Sequence, residues 1–363
     1  MTLFLDNNDI SKVLDIKLTM NVLERAYNDF IRGDAVCMPR SDFQIPTSDS
    51  AHTYQFGITV GGGIGRYMGL RLKSDITFPE HVNGQTRKGK YCVEPGKYCG
   101  LILLFDVETG ALLAIMNDGL IQQMRVGADS GLGVKWMARP GSSIVGMLGS
   151  GGMARTHIDA FMHVRPISQI KVYSPTKENR ERFALEIAAK HNVEVVDVDC
   201  PDDVYQDADI ISGCASISGP IINGNLLQPG THITCIGGTL DAAANTAIDV
   251  ALRFGSARPP LEAPEMNIDS ECLTFAAGPR TKTSFGGTKK FSDVDSAKQI
   301  SLEELLADPS RGRTKKNQIT FSERGNLHGL QFYSVAGAVY ESALTRGLGL
   351  KLPGDDFLQT IRN

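Results

Sequence analysis

With 363 residues, 42% of them apolar and 21% charged, the chain is long enough for two packed units with sizeable cores. A net charge of −4 and a pI near 6.0 leave no electrostatic footprint for nucleic acid or an anionic membrane surface. No run of about 18 apolar residues argues for a spanning helix, and Met1-Thr2-Leu3-Phe4-Leu5-Asp6 lacks the basic start of a secretion signal.

Apolar positions recur at helical spacing from Met20 to Ile31, predicting an early helix. Strand-like segments follow at His52–Val60, Tyr67–Leu72 and Leu101–Val107. The last turns at Glu108-Thr109-Gly110 into Ala111–Ile115, which reads as a hairpin. Asn83–Gly100 is basic and glycine-rich with little periodicity, so a surface loop is expected. A helix is predicted over Asp118–Arg139, stopped by Pro140-Gly141. Strands and helices then alternate. Strands are expected at Ser143–Leu148, Gln169–Tyr173, Val193–Val198, Asp209–Cys214 and His232–Ile236, with helices at Met153–His163 and Lys177–His191. Parallel neighbours need a crossover and a helix supplies it, so the pattern predicts a parallel α/β sheet. After Asp249 the signal weakens, and Gly255–Arg313 gives no clear element; a last helix is expected over Leu330–Thr345.

The seven cysteines are scattered without a C-x-x-C pair and read as small core residues in a reducing cytoplasm. A disulfide between Cys92 and Cys99, which share a loop, is possible but not favoured. The histidines show no ligand spacing, so no metal is expected.

The strand ending at Leu148 runs into Gly149-Ser150-Gly151-Gly152-Met153-Ala154 and then a helix. This is G-x-G-x-x-A in the strand–turn–helix setting that gives the pattern meaning. Gly149 makes the tight turn, Gly151 lets backbone approach a pyrophosphate, and Ala154 permits close helix–strand packing. Gly152 and Met153 open the helix whose free N–H groups meet the phosphates. A glycine-rich turn with no ligand is the alternative. About 20 residues on, an NAD site usually carries an acid for the ribose hydroxyls. Here Tyr173-Ser174-Pro175-Thr176-Lys177, with Arg180, has none. Ser174, Thr176, Lys177 and Arg180 offer donors and charge to a 2′-phosphate, which favours NADP(H) over NAD(H). A capped helix start with solvated charges is the other reading.

In combination and in order, several segments resemble the ornithine cyclodeaminase/mu-crystallin family. Gly149-Ser150-Gly151-Gly152-Met153-Ala154-Arg155-Thr156-His157 is similar to its G-x-G-x-Q-A-x-x-H, with Met153 where Gln is usual. Ala114–Gly119 and Met124–Ala128 resemble its A-x-x-D-G and R-T-G/A-A signature. Met38-Pro39-Arg40, Gly69–Lys73 and Gly230–Ile233 with Ile236-Gly237-Gly238 resemble further segments. The resemblance implies a substrate and dimerisation domain from residues 1–125 plus 326–363, with a Rossmann-type domain, residues 126–325, inserted between. It also implies a homodimer acting on a small amino or imino acid.

Activities of that family move hydride between nicotinamide and a carbon that bears nitrogen alpha to a carboxylate. Such a site needs fixed cations and a proton-transfer group. Arg125 resembles the family's carboxylate-binding arginine and Arg40 a second substrate arginine; solvated helix and loop charges are the alternatives. Arg71 stands where the family commonly has lysine, with Lys73 on the same strand face. Together they suit a second substrate carboxylate, or a lysine with depressed pKa for acid–base work. Two solvated charges, one neutralised by Asp75, is the alternative. Ornithine cyclodeaminases carry Asp directly after Gly-Gly. Here Gly237-Gly238 is followed by Thr239-Leu240-Asp241, so Asp241 is the candidate substitute and its role depends on loop shape. Gly237 and His328, in Asn326-Leu327-His328-Gly329, are further candidates for the cofactor's surroundings; His328 reads equally as a loop histidine. The leading expectation is an NADP(H)- or NAD(H)-dependent imine reductase or amino-acid dehydrogenase. The alternatives are an ornithine cyclodeaminase that uses NAD catalytically, or a mu-crystallin-like cofactor-binding protein with little turnover.

Overall fold

The computed structural model describes residues 1–82, 85–217, 219–259, 272–276 and 291–361. Strand β1 (Thr2–Leu5) leads into helices α1 (Asn7–Ser11) and α2 (Ile16–Arg32). Strands β2 (Ala35–Cys37), β3 (Ser41–Pro46), β4 (Thr53–Gly63), β5 (Tyr67–Val82), β6 (Gln85–Tyr91), β7 (Cys99–Asp106) and β8 (Leu112–Asn117) follow, then α3 (Gly119–Met137). Next come β9 (Ile144–Leu148), α4 (Gly152–Val164), β10 (Gln169–Tyr173), α5 (Lys177–His191), β11 (Glu194–Asp197) and β12 (Ile210–Cys214). After these lie β13 (Pro220–Ile222), β14 (His232–Gly237), β15 (Thr239–Leu240), α6 (Ala242–Ala247), β16 (Val250–Arg253) and β17 (Cys272–Phe275). The chain closes with β18 (Gln299–Ser301), α7 (Leu302–Ala307), β19 (Thr320–Glu323), α8 (His328–Arg346) and β20 (Leu350–Leu352).

The chain divides into two compact units. The first holds Met1–Arg125, the described residues of Ser256–Lys290, and Asn326–Asn363; the second holds Val126–Gly255 and Phe291–Gly325. In the first unit the sheet runs β17-β3-β4-β5-β7-β8-β1-β20, with β2 beside β4 and β6 beside β5. Strand β5 pairs with β4 along one edge, and on the other with β7 and then β6. The expected loop at Asn83–Gly100 is thus corrected: Gln85–Tyr91 is a strand. It lacks an alternating apolar face, so the period-2 signal is missing although its backbone is paired. Helix α2 starts on Asp15, whose carboxylate accepts from Leu18 N at 2.7 Å, and ends at Gly33 in the left-handed region, φ +86°. Helix α8 packs against α2, β4 and β5 and buries Leu330, Phe332, Tyr333, Val335 and Val339. Burying apolar side chains along that stripe fixes the helix on the sheet.

The second unit is a sheet in the order β11-β10-β9-β12-β14-β19-β16-β18 with every pairing parallel. Its strands read as apolar runs because helices cover parallel sheets on both faces. Val145, Met147, Ile170, Val172, Ile211 and Ile233 are all nearly inaccessible. The order reverses at β9, and α/β sheets bind ligands at the carboxyl ends of the strands at such a point. The stretch Gly255–Arg313 contains β17, β18 and α7. Helix α7 begins with a capping box in which Glu304 N donates to the Ser301 hydroxyl at 3.1 Å and Ser301 N to Glu304 at 2.8 Å. His232 and His157 are neutral structural groups. His232 Nδ1 lies 2.9 Å from the Thr320 hydroxyl, and burial holds its pKa far below the usual range; burial lowers His157 to about 4.

Candidate active site

In the first unit, alternation along β5 places Arg71 and Lys73 on one face. Arg71 Nε and Nη2 reach Asp118 Oδ2 at 2.7 and 2.6 Å, a forked contact that point-charge cations cannot copy. Its guanidinium stands 5.2 Å from the centre of the Phe332 ring, and that of Arg125 4.9 Å from the same ring. Phe332 therefore brings together two cations carried by β5 and α3. Arg125 is 5% exposed. Its Nη1 donates to Gln331 Oε1 at 2.5 Å and its Nη2 to Gln122 Oε1 at 2.8 Å. Gln331 in turn donates to the Tyr27 hydroxyl at 2.7 Å, which fixes the amide so that its oxygen faces the arginine.

Lys73 crosses over Gly57 of β4, its register partner; a Cβ there would lie 2.5 Å from Lys73 Cε. The amine stands 3.6 Å from Asp75 and 3.9 Å from Asp42, and Arg40 pairs with Asp42 at 2.8 Å. Both acids are nearly inaccessible, and Asp75 Oδ2 has no hydrogen-bond partner among the described residues. Burial, then the Arg40 charge, pushes the Lys73 amine down to about 8, despite the two carboxylates. Burial works against the Asp42 carboxylate, yet Arg40 and Lys73 hold it below its usual range. A buried amine with such a pKa can give or take a proton near neutrality. Each cation has acids beside it: Asp118 serves Arg71, while Asp42 and Asp75, the latter already legible in the sequence as a neutralising partner, serve Lys73. A strand pattern reports which face a cation takes, not which acids come to it from β3 and the start of α3.

In the second unit, Gly149 holds φ +121°, a conformation that favours glycine, and a Cβ there would lie 2.7 Å from the Cys214 carbonyl oxygen. Gly151 is the N-cap of α4 with no capping side chain, and a Cβ on it would meet nothing within 4 Å. The first turn of α4, from Gly152 and Met153 on, thus has no capping side chain, and space lies open beside Gly151. Ala154 is fully buried against the sheet. These observations fit a dinucleotide diphosphate: a side chain fills no part of the cradle, and the helix end presents donors to an anion.

Ser150 and Ser174 hydroxyls meet at 2.8 Å, tying the turn to the end of β10. Thr176 caps α5 without a side-chain bond, and Lys177 is exposed, 3.7 Å from Glu181. Arg180 is corrected from a donor for the cofactor to an internal brace. It is 5% exposed, ion-paired with Asp199, and donates to the Ser174 carbonyl at 3.2 Å. Asp241 likewise caps α6, accepting from Ala244 N at 2.6 Å and Gly224 N at 3.1 Å, so its carboxylate is held by backbone donors. Gly237 ends β14, and His328 opens α8. Sequence reading missed Asp42, Gln122 and Gln331 as partners of the cations. Only Asp42 left a trace, two residues after Arg40. It also missed Arg324, just after β19, whose Nε has no hydrogen-bond partner among the described residues and whose charge acts on His157 and Cys214.

The model of the ornithine cyclodeaminase/mu-crystallin family matches residues 77–347. The chain belongs to that family. It is 23% identical to an alanine dehydrogenase of Archaeoglobus fulgidus over 97% of this chain and 98% of that one. A Delta(1)-pyrroline-2-carboxylate reductase of Bacillus cereus is 25% identical over 70% of this chain and 74% of its own length. Among solved structures, the Thermococcus litoralis Delta(1)-pyrroline-2-carboxylate reductase in complex with NADH and L-proline superposes with a TM-score of 0.72. That match is 22% identical and covers 97% of this chain and 100% of the other, which establishes the shared fold.

Proposed function

We propose that this protein is a nicotinamide-dinucleotide-dependent oxidoreductase that interconverts an imino acid and an amino acid. The observation that carries the reading is the open, uncapped start of α4 at Gly151. Membership in a family with reductases and dehydrogenases of such substrates supports it. The dinucleotide, when bound, supplies or accepts the hydride. Arg125, its guanidinium oriented by Gln331 and Gln122, binds the substrate carboxylate, and Arg71 adds charge beside it. Lys73 gives the proton to the substrate nitrogen on reduction and removes it on oxidation. Arg40, through Asp42, keeps the amine in place. The ornithine cyclodeaminase reading has less support, because Asp241 is occupied as a helix cap and Thr239 offers no carboxylate.

NADP(H) is the preferred cofactor in this proposal. No acid follows Tyr173, and Ser174, Thr176 and Lys177 lie at the strand end where a 2′-phosphate is read. Lys177→Ala then weakens NADPH binding by about 5-fold and leaves NADH binding unchanged; a tighter grip on NADH in the unaltered protein sinks this choice. A homodimer is part of the same reading, supported by Phe43 and Ile45, which stand exposed at alternate positions of β3. So is cytoplasmic residence, supported by free Cys37, Cys214 and Cys235.

The test is the absorbance of NADPH or NADH in the presence of cyclic imino acids, or of keto acids with ammonia. Stoichiometric loss with one of them is expected. Proline and ammonia from ornithine without net cofactor change would favour the lyase instead. Tight cofactor binding with neither reaction would leave a binding protein.

A further inference from the structure

A groove of about 410 Å³ lies in the first unit among α2, α8 and the turns that join β4 to β5 and β7 to β8. None of the groups assigned above to substrate or proton transfer lines it. Val22, Arg25, Ala26 and Asp29 form one stripe of α2, and Tyr333, Gly337 and Glu341 one stripe of α8. Gly337 leaves room for the Tyr67 ring, which meets Tyr340 edge to face at 6.0 Å and donates from its hydroxyl to Glu341 at 3.0 Å.

Charged groups of both signs line the groove. Arg66 Nε donates to Asp29 at 3.1 Å, and Arg32 also meets that acid at 2.5 Å, so Asp29 is neutralised. Arg25, one helical turn before Asp29, has no ion pair or hydrogen bond among the described residues. The Tyr333 hydroxyl is close enough to Asp29 and Arg66 to feel both charges. The residue is 1% exposed, and the hydroxyl has no hydrogen-bond partner among the described residues. Burial and the Asp29 charge push it up to about 12, so it stays a donor. A buried hydroxyl without a partner costs stability unless something meets it. Asp106, Glu108 and Glu341 line the groove as well, and Asp106 and Glu341 act on the Tyr67 hydroxyl.

We propose that this groove is a second amino-acid site, which holds a free α-amino acid as a zwitterion apart from the reacting groups. Arg25 and the Tyr333 hydroxyl take the carboxylate; Glu341, Asp106 and the face of Tyr67 take the ammonium. A simple anion would leave Asp106, Glu108 and Glu341 unmet, and a simple cation would face Arg25. The consequence is regulatory. Helix α8 carries Tyr333 and Glu341 on the groove and, one residue before Tyr333, Phe332 and Gln331 on Arg125. Occupancy of the groove thereby bears on the arginine that orients the substrate.

The experiment uses the full chain with Arg125→Ala, which disables the substrate site, and titrates L-alanine, L-proline and L-ornithine by calorimetry. At least one binds with a dissociation constant of about 1 mM or lower. Adding Arg25→Glu or Glu341→Gln to that chain weakens the interaction about 10-fold or more. Tyr333→Phe weakens it about 5-fold, while the melting temperature without ligand stays level or rises, because an unmet hydroxyl is removed. No binding by any of the three at about 10 mM, or binding that the groove variants leave unchanged, overturns the proposal. Oxidoreductase activity of the unaltered protein is read separately, so failure here leaves that reading standing.

Discussion

In the second unit, the groups that face the candidate cofactor position are backbone N–H groups, and the residues around them are chosen for what they lack. Gly149 has no Cβ to strike Cys214, Gly151 none to fill the cradle, and Ala154 only a methyl against the sheet. In the first unit, Arg71, Lys73 and Arg125 present long charged side chains, and each is held by residues distant in the chain: Asp118, Asp42 and Gln331. A backbone cradle is rigid once the turn is made, and tolerates variety in the surrounding side chains. A side-chain cluster is exact only while every partner is present, since a buried charge that loses its partner carries its full desolvation cost. The two designs should therefore fail differently.

The largest effect is expected at Arg125. Arg125→Ala removes the proposed carboxylate receptor and leaves the Gln331 and Gln122 amides without their donor. Turnover on any accepted substrate, read as kcat/KM, should fall by about 10³ with cofactor binding retained. Full activity would move the receptor to Arg40 and Arg71. Gly151→Val comes next. A Cβ there meets no atom within 4 Å, so melting should shift little, yet the dissociation constant of the dinucleotide should rise about 100-fold or more. A collapse in stability in place of lost binding would reverse the contrast between the units.

Lys73 sharpens the same contrast through pH. Its amine is protonated below about 8 and neutral above. Reduction, which needs the proton, should weaken as pH rises through about 8, and oxidation should strengthen over the same interval. Lys73→Met should cost about 10² in rate and erase both limbs; limbs that persist in that variant assign the proton to another group. The smallest effect is expected at Asp241. Asp241→Ala removes a helix cap worth about 1 kcal/mol, lowering the melting temperature by a few degrees with catalysis intact. A large loss of rate without loss of stability would restore the catalytic role.

This contrast also explains what was legible in the sequence. Helix α5 was bounded to the residue, Lys177–His191, because Thr176 starts it and Asn192 at φ +51° ends it. The turn at Gly149 declared itself because glycine spacing is local and backbone geometry follows from it. Strand β6 was hidden by its polar composition, and β18 and α7 by the Pro- and Gly-rich stretch around them, although Ser301 and Glu304 carried a capping-box spacing. At the candidate substrate cluster, the cations were found and, of their partners, only Asp75 was. Arg71 and Asp118 are 47 residues apart, Arg125 and Gln331 206. No spacing rule reaches that far. Arg180 and Asp241 show the reverse case: residue types suited to function, spent on bracing a turn and capping a helix.

Gly57 sets a boundary for anyone redesigning substrate choice. The stem of Lys73 lies flat across it, with Asp42 alongside, so even a methyl group at this point pushes the amine off its carboxylates. A mutational library over the pocket should keep this glycine fixed and vary Gln55, its neighbour two positions back on the same strand. Gln55 meets the Lys88 amine and hydrogen-bonds the Asp42 carboxylate, so a change there reaches Lys73 through its acid and not by contact. Variants at 55 then retune the acid beside the proposed proton carrier, whereas those at 57 displace that amine itself.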